Sequence, residues 1–251
     1  MTVAFVEYSV ANAVAHIELN RPEAANAFDL QSARELAIAV ERAREDDAVR
    51  SILVTGRGRR FCGGGDVASF AAAEDAPAYM HHLAVELDEA FRTLRELAKP
   101  DVAAVDGAVA GAGLALMLSC DVVVAGPQTK FVFAYPAIGL TPDCGLSYLL
   151  PRAIGQQRAL AFSLMDAGVG AGEALGWGLI TEVADEPGAR AQHIATAWSA
   201  AATTALGQVR RLMRDTWDMD AAAVGAKEAR TIAQMAREPE AQRLIGAFLT
   251  Q

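Results

Sequence analysis

Cysteine is scarce in this chain of 251 residues, and the three present, Cys62, Cys120 and Cys144, form an odd set without metal-ligand spacing. That argues against a disulfide framework and leaves reduced thiols, read as small apolar filler. The four histidines, His16, His81, His82 and His193, make no His-Glu-x-x-His pattern, so a metal site is not expected. Basic residues are in deficit: 22 Lys and Arg face 31 Asp and Glu, for a formal charge of −9. Neither nucleic acid nor an anionic membrane surface would be attracted non-specifically. The apolar run between Asp106 and Asp121 is broken by glycine and falls short of the roughly 20 residues that span a bilayer. Residues Met1 to Glu7 lack the basic start and apolar stretch of a signal peptide, and a cytoplasmic location is expected.

What the chain has is enough apolar content, 53% of residues, to bury a full core. Two glycine-rich stretches follow strand-like runs. Phe61-Cys62-Gly63-Gly64-Gly65-Asp66-Val67 comes after Ser51-Ile52-Leu53-Val54-Thr55, and Gly107-Ala108-Val109-Ala110-Gly111-Ala112-Gly113 after Val102-Ala103-Ala104-Val105. The second runs directly into a helix-forming segment from Leu114. Such loops expose backbone N–H groups to an incoming anionic oxygen, and a helix start adds its dipole. Neither loop is a dinucleotide fingerprint or a phosphate-binding Gly-Lys-Ser/Thr loop, which removes nicotinamide and ATP chemistry from the reading.

Around these loops the pattern predicts strands near 3–9 and 14–19 joined by a turn. A helix is predicted from the N-cap Asp29, and a long amphipathic helix over 78–97 with Leu83, Leu87, Ala90, Phe91 and Leu94 on one face. Strand and helix then alternate, which implies a largely parallel sheet. Beyond Gly155 the chain turns helical, with helices predicted over 189–205, 206–217, 221–237 and 239–249.

With Asn20-Arg21-Pro22-Glu23-Ala24-Ala25-Asn26-Ala27-Phe28 upstream, and Ser119-Cys120-Asp121-Val122 and Ile138-Gly139-Leu140-Thr141-Pro142-Asp143 downstream, the two loops resemble the crotonase (enoyl-CoA hydratase/isomerase) superfamily. The resemblance extends to about Phe248. It implies an α/β crotonase (ClpP/crotonase-like) fold, a spiral of ββα repeats over residues 1–195, followed by a C-terminal helical oligomerisation region over 196–251. It also implies an acyl-CoA thioester as substrate, no cofactor beyond the coenzyme A carried by that substrate, and a homotrimer or dimer of trimers.

Carried over residue by residue, the family's oxyanion pair falls on the N–H groups of Gly65 and Ala112. Contacts to the coenzyme A portion fall on Arg21, Ala24, Gly63, Gly64, Asp66, Val67 and Gly111. Arg57, Arg59 and Arg60 are further cations within reach of phosphates. Hydratases of the family use two glutamates, and here those positions hold Ala115 and Tyr135. Ordinary syn-hydration is therefore not expected. Tyr135 either donates a hydrogen bond to substrate or simply packs. Asp143, in a Pro-Asp-x-Gly pattern seen in enoyl-CoA isomerases, is the expected single-proton shuttle, with a turn or helix-cap role as the alternative. The competing activities are hydration by another arrangement, hydrolysis or dehalogenation with Asp143 as nucleophile, and a non-catalytic acyl-CoA binder. A 6% aromatic content weighs against a ring-lined dehalogenase pocket.

Overall fold

The computed structural model describes residues 4–165 and 167–250. The chain opens with an antiparallel hairpin, β1 (Val6–Ala11) and β2 (Val14–Leu19). Its two turn residues, Asn12 and Ala13, both take left-handed φ, 53° and 61°, the conformation that matches strand twist in a two-residue hairpin. The expected start of the first strand at Val3 lies outside the described residues. Helix α1 (Leu30–Glu45) begins at Asp29 with a reciprocal cap: Asp29 accepts from the Ser32 N–H, and Ser32 Oγ accepts from the Asp29 N–H.

Strand β3 (Ser51–Gly56), helices α2 (Val67–Ala72) and α3 (Ala76–Glu96), and strand β4 (Asp101–Val105) follow. The chain then runs β5 (Ala108–Ala110), α4 (Ala112–Ser119), β6 (Val122–Ala125) and β7 (Lys130–Val132). After them come α5 (Leu146–Ile154), α6 (Gln156–Leu164), β8 (Val169–Gly170), α7 (Ala171–Trp177) and β9 (Glu182–Val183). The C-terminal part is α8 (Pro187–Ala200), α9 (Thr203–Asp215), α10 (Ala221–Met235) and α11 (Pro239–Leu249).

The main sheet has the order β1-β2-β3-β4-β6-β9 and is parallel from β2 onward. A smaller sheet, β5-β7-β8, stands beside it. Strand β4 is buried along its whole length, as expected of a parallel strand covered on both faces. One face carries α1, α3 and α4, and the expected stripe Leu83, Leu87, Ala90, Phe91 and Leu94 of α3 is buried there. The opposite face packs Leu53, Val102, Ala104 and Val124 against Ala191 and Ala195 of α8.

The C-terminal region departs from expectation in one respect. A single helix over 189–205 is predicted, but it breaks at Ala201 and Ala202, because the Arg50 guanidinium reaches the Ala201 carbonyl (2.7 Å) and Thr203 Oγ1 (3.0 Å). Helix α8 runs across the expected boundary at 195/196, with Ala191 and Ala195 of its inner face in the core. Helix α9 is held by a buried ionic cluster. Arg210 bonds Asp101 (2.6 Å) and Asp121 (2.5 Å) and donates to the carbonyls of Leu94, Arg95 and Leu97. Helices α10 and α11 bury no residue, and they leave Ile232, Ile245, Phe248 and Leu249 exposed.

Candidate active site

The first glycine loop is sewn down on both sides. Phe61 N–H donates to the Asp106 carbonyl (2.9 Å), Ala110 N–H to the Cys62 carbonyl (2.9 Å), and Phe28 N–H to the Gly64 carbonyl (2.7 Å). Because the Phe28 bridge uses the Gly64 carbonyl and the Asp66 N–H, it leaves the Gly65 N–H outside the pairing. The second loop ends at Gly111, and Ala112 is the first residue of α4, so its N–H has no intrahelical acceptor. Among the described residues neither the Gly65 nor the Ala112 N–H donates to any group.

The loops touch at Gly64 (φ 98°) and Gly111 (φ 52°). A Cβ on Gly64 would sit 3.1 Å from the Ala110 carbonyl oxygen and 3.4 Å from Gly111 Cα. Only residues without side chains permit this approach and these dihedrals.

Both loops open on one cavity of about 500 Å³, lined by Gly63, Gly64, Gly65, Val67, Gly111, Ala112, Tyr135 and Asp143 among others. Among the described lining residues Asp143 is the one carboxylate. The Tyr135 hydroxyl donates to Asp143 Oδ1 at 2.6 Å. Burial and the adjacent Asp143 charge push the phenol well above its ordinary range, and the same two causes raise the Cys144 thiol. Burial alone lifts Cys62 to about 12. All three therefore stay protonated near neutral pH, and the cysteines behave as filler, not as nucleophiles.

Three of the residues expected at the coenzyme A portion are not among those lining the cavity. Arg21 is turned inward: it bonds Asp66 (3.0 Å) and the Ala27 carbonyl (2.7 Å), with Asp29 3.2 Å away. Asp66 caps α2 through the N–H groups of Ala68 and Ser69. Its carboxyl is held below the ordinary value because, although burial opposes ionisation, the Arg21 and Ser69 hydrogen bonds outweigh it. These two form an ion pair that ties the first loop to the segment before α1. Ala24 ends a 3₁₀ turn (Pro22–Ala24) and is absent from the cavity lining. Arg57 is likewise committed, to Glu7, Glu18 and Asn20, whereas Arg59 and Arg60 are exposed.

Helix α3, whose counterparts in the resembling family sometimes line the acyl pocket, lends Met80, His81, Leu83, Ala84 and Leu87 to the cavity. Leu83 and Leu87 read only as core positions, and they serve both surfaces. Phe70, Ile138, Leu140 and Thr141 complete the wall and make it mainly apolar. Ala115, one turn into α4, is fully buried and brings no acid.

The spiral of parallel strands, with two glycine loops meeting over a cavity, is the crotonase fold. A crystal structure of a Mycobacterium abscessus protein described as an enoyl-CoA hydratase/isomerase superposes with a TM-score of 0.93, at 36% identity, covering 98% of this chain and 96% of that one. The enoyl-CoA hydratase/isomerase family model matches residues 9–250. The chain belongs to this family. It is 34% identical over 247 residues to the 1,2-epoxyphenylacetyl-CoA isomerase of Escherichia coli K12, covering 96% of this chain and 90% of the relative. It is also 32% identical over 206 residues to 4-chlorobenzoyl coenzyme A dehalogenase-2 of an Arthrobacter species, covering 80% and 75%.

Proposed function

We propose that the protein shifts the double bond of an enoyl-CoA, with Asp143 as the single proton shuttle. The observation that carries this reading is the pairing of one carboxylate with two unengaged amides around one apolar cavity. The thioester oxygen accepts hydrogen bonds from Gly65 and Ala112 N–H. Asp143 removes a proton from the carbon next to the thioester of a 3-enoyl chain. The freed electron pair spreads into a dienolate, whose oxygen the amides stabilise as its charge grows. The same proton then returns at the γ-carbon, which leaves the 2-enoyl thioester.

Hydration would need water activated and a proton delivered from two groups, and Ala115 and Tyr135 supply no second carboxylate. Family membership and the isomerase among the relatives support the acyl-CoA class of substrate. The exposed Arg59 and Arg60 are the cations available to its phosphates, and no cofactor is required. The apolar faces of α10 and α11 support assembly into a homotrimer or a pair of trimers.

Product analysis decides the matter. Incubation with a 3-enoyl-CoA should give the 2-enoyl isomer, and Asp143→Ala should abolish it. Abundant 3-hydroxyacyl-CoA that persists in Asp143→Ala would overturn the assignment.

A further inference from the structure

We infer that Tyr135 is a positioning residue that ties up Asp143 Oδ1 and leaves proton transfer to Oδ2 alone. This rests on the isomerase reading above. The Tyr135 ring is buried, and a buried hydroxyl requires a partner. Its hydroxyl gives that bond to Oδ1 at 2.6 Å, a short charge-assisted contact. Among the described residues no N–H or O–H donates to Oδ2. The neighbouring Cys144 thiol lies 4.0 Å from the Ala84 carbonyl and also borders the Asp143 carboxyl, as a weak sulfur donor that does not replace the Tyr135 bond.

The phenol is itself held from several sides. Its ring lies 5.3 Å from that of Phe133, centroid to centroid. A Cβ on Gly111 would lie 3.8 Å from Tyr135 Cζ, so the ring rests against the second glycine loop. The Tyr135 carbonyl accepts from Ile138 (3.2 Å) and Leu140 (3.0 Å) N–H. Two non-glycine residues in left-handed conformation flank the pair: Ala134 (φ 60°) precedes Tyr135, and Cys144 (φ 52°) follows Asp143. Such dihedrals persist only where surrounding contacts enforce them. The strained segments aim tyrosine and aspartate at each other. The carboxylate cannot rotate freely, so a proton taken on Oδ2 stays on that oxygen, screened by an apolar wall, until it is returned.

The test is Tyr135→Phe in the full chain, which keeps the ring and removes only the donor. Isomerisation of a 3-enoyl-CoA is followed in deuterated water, with deuterium at the γ-carbon of the product measured by mass spectrometry. The expected result is a fall in kcat of roughly 10- to 100-fold, the range for losing a hydrogen bond to a charged group, with KM little changed. The fraction of deuterated product should rise, because a rotating carboxylate exchanges its proton before returning it. That fraction is a ratio within the product, so it does not depend on how much of the variant is folded. Unchanged kcat and unchanged deuterium content, with the unmodified protein active, would overturn the role of Tyr135. No isomerisation by the unmodified protein would overturn the isomerase reading instead, and this inference would fall with it.

Discussion

The two ends of α4 hold opposite kinds of carboxylate. At its C-terminus Asp101 and Asp121 are saturated: Arg210 and Arg214 pair with them, each accepts a main-chain N–H from the other, and Arg214 also donates to the Ser119 carbonyl. At its N-terminus the Ala112 amide is unengaged among the described residues, and the Asp143 carboxyl accepts from the Tyr135 hydroxyl. The same functional group thus has opposite surroundings at opposite ends of one short helix. Where both oxygens are met, the carboxylate locks α9 onto the sheet. Where one oxygen is left unmet beside a cavity, it can exchange a proton.

Substitutions at the two ends should separate these roles. The largest effect on rate is expected from Asp143→Asn, a loss of about 10²- to 10⁴-fold, with the melting temperature unchanged. Kinetics and thermal unfolding on one preparation would check both halves, and a large drop in melting temperature would contradict the contrast.

Arg210→Ala should do the reverse, costing about 3–5 kcal/mol of stability by leaving buried Asp101 unpaired. Its rate per folded molecule should stay close to that of the parent. Denaturant titration reads the first quantity and active-site titration the second.

Gly64→Ala should reduce kcat by about 10²- to 10³-fold, comparable to losing an oxyanion donor, because its Cβ would crowd the Ala110 carbonyl and move the loops apart. Substrate affinity measured alongside should fall less than the rate.

The smallest effect concerns a fourth carboxylate, Asp66, hydrogen-bonded and close to the site. Its folded value lies below the ordinary 3.8. Its contribution is therefore full above pH 3.8 and is lost as pH falls through the lowered value. Asp66→Asn should remove about 1 kcal/mol, the worth of a helix cap, at neutral pH. It should also flatten the decline in stability below pH 4. An unchanged acid limb would show that Asp66 is not held by Arg21.

Features encoded within a few residues are legible in the sequence alone. The Asn12-Ala13 turn, the Asp29 cap, the buried stripe of α3 and the strand-loop-helix units all rest on local dihedral preference and apolar period, and they appear where expected. Gly65, Ala112 and Asp143 were likewise legible through motif order, and the cavity brings them together. The break between α8 and α9 was not, since it depends on Arg50, which contacts Thr203 from 153 residues away in sequence.

Arg21 illustrates the limit most clearly. Its place in the chain marks it as a cation near the first loop, but only packing shows it spent on Asp66, 45 residues distant. Tyr135 is a second case: the turn between them returns it to Asp143, eight positions on, and no spacing rule encodes that hydroxyl bond. Chain order was enough for the glycine loops because a main-chain amide needs no particular side chain, only a backbone free to bend. Which side chains are spoken for is decided by the folded molecule, because a hydrogen-bond partner is chosen by distance in space.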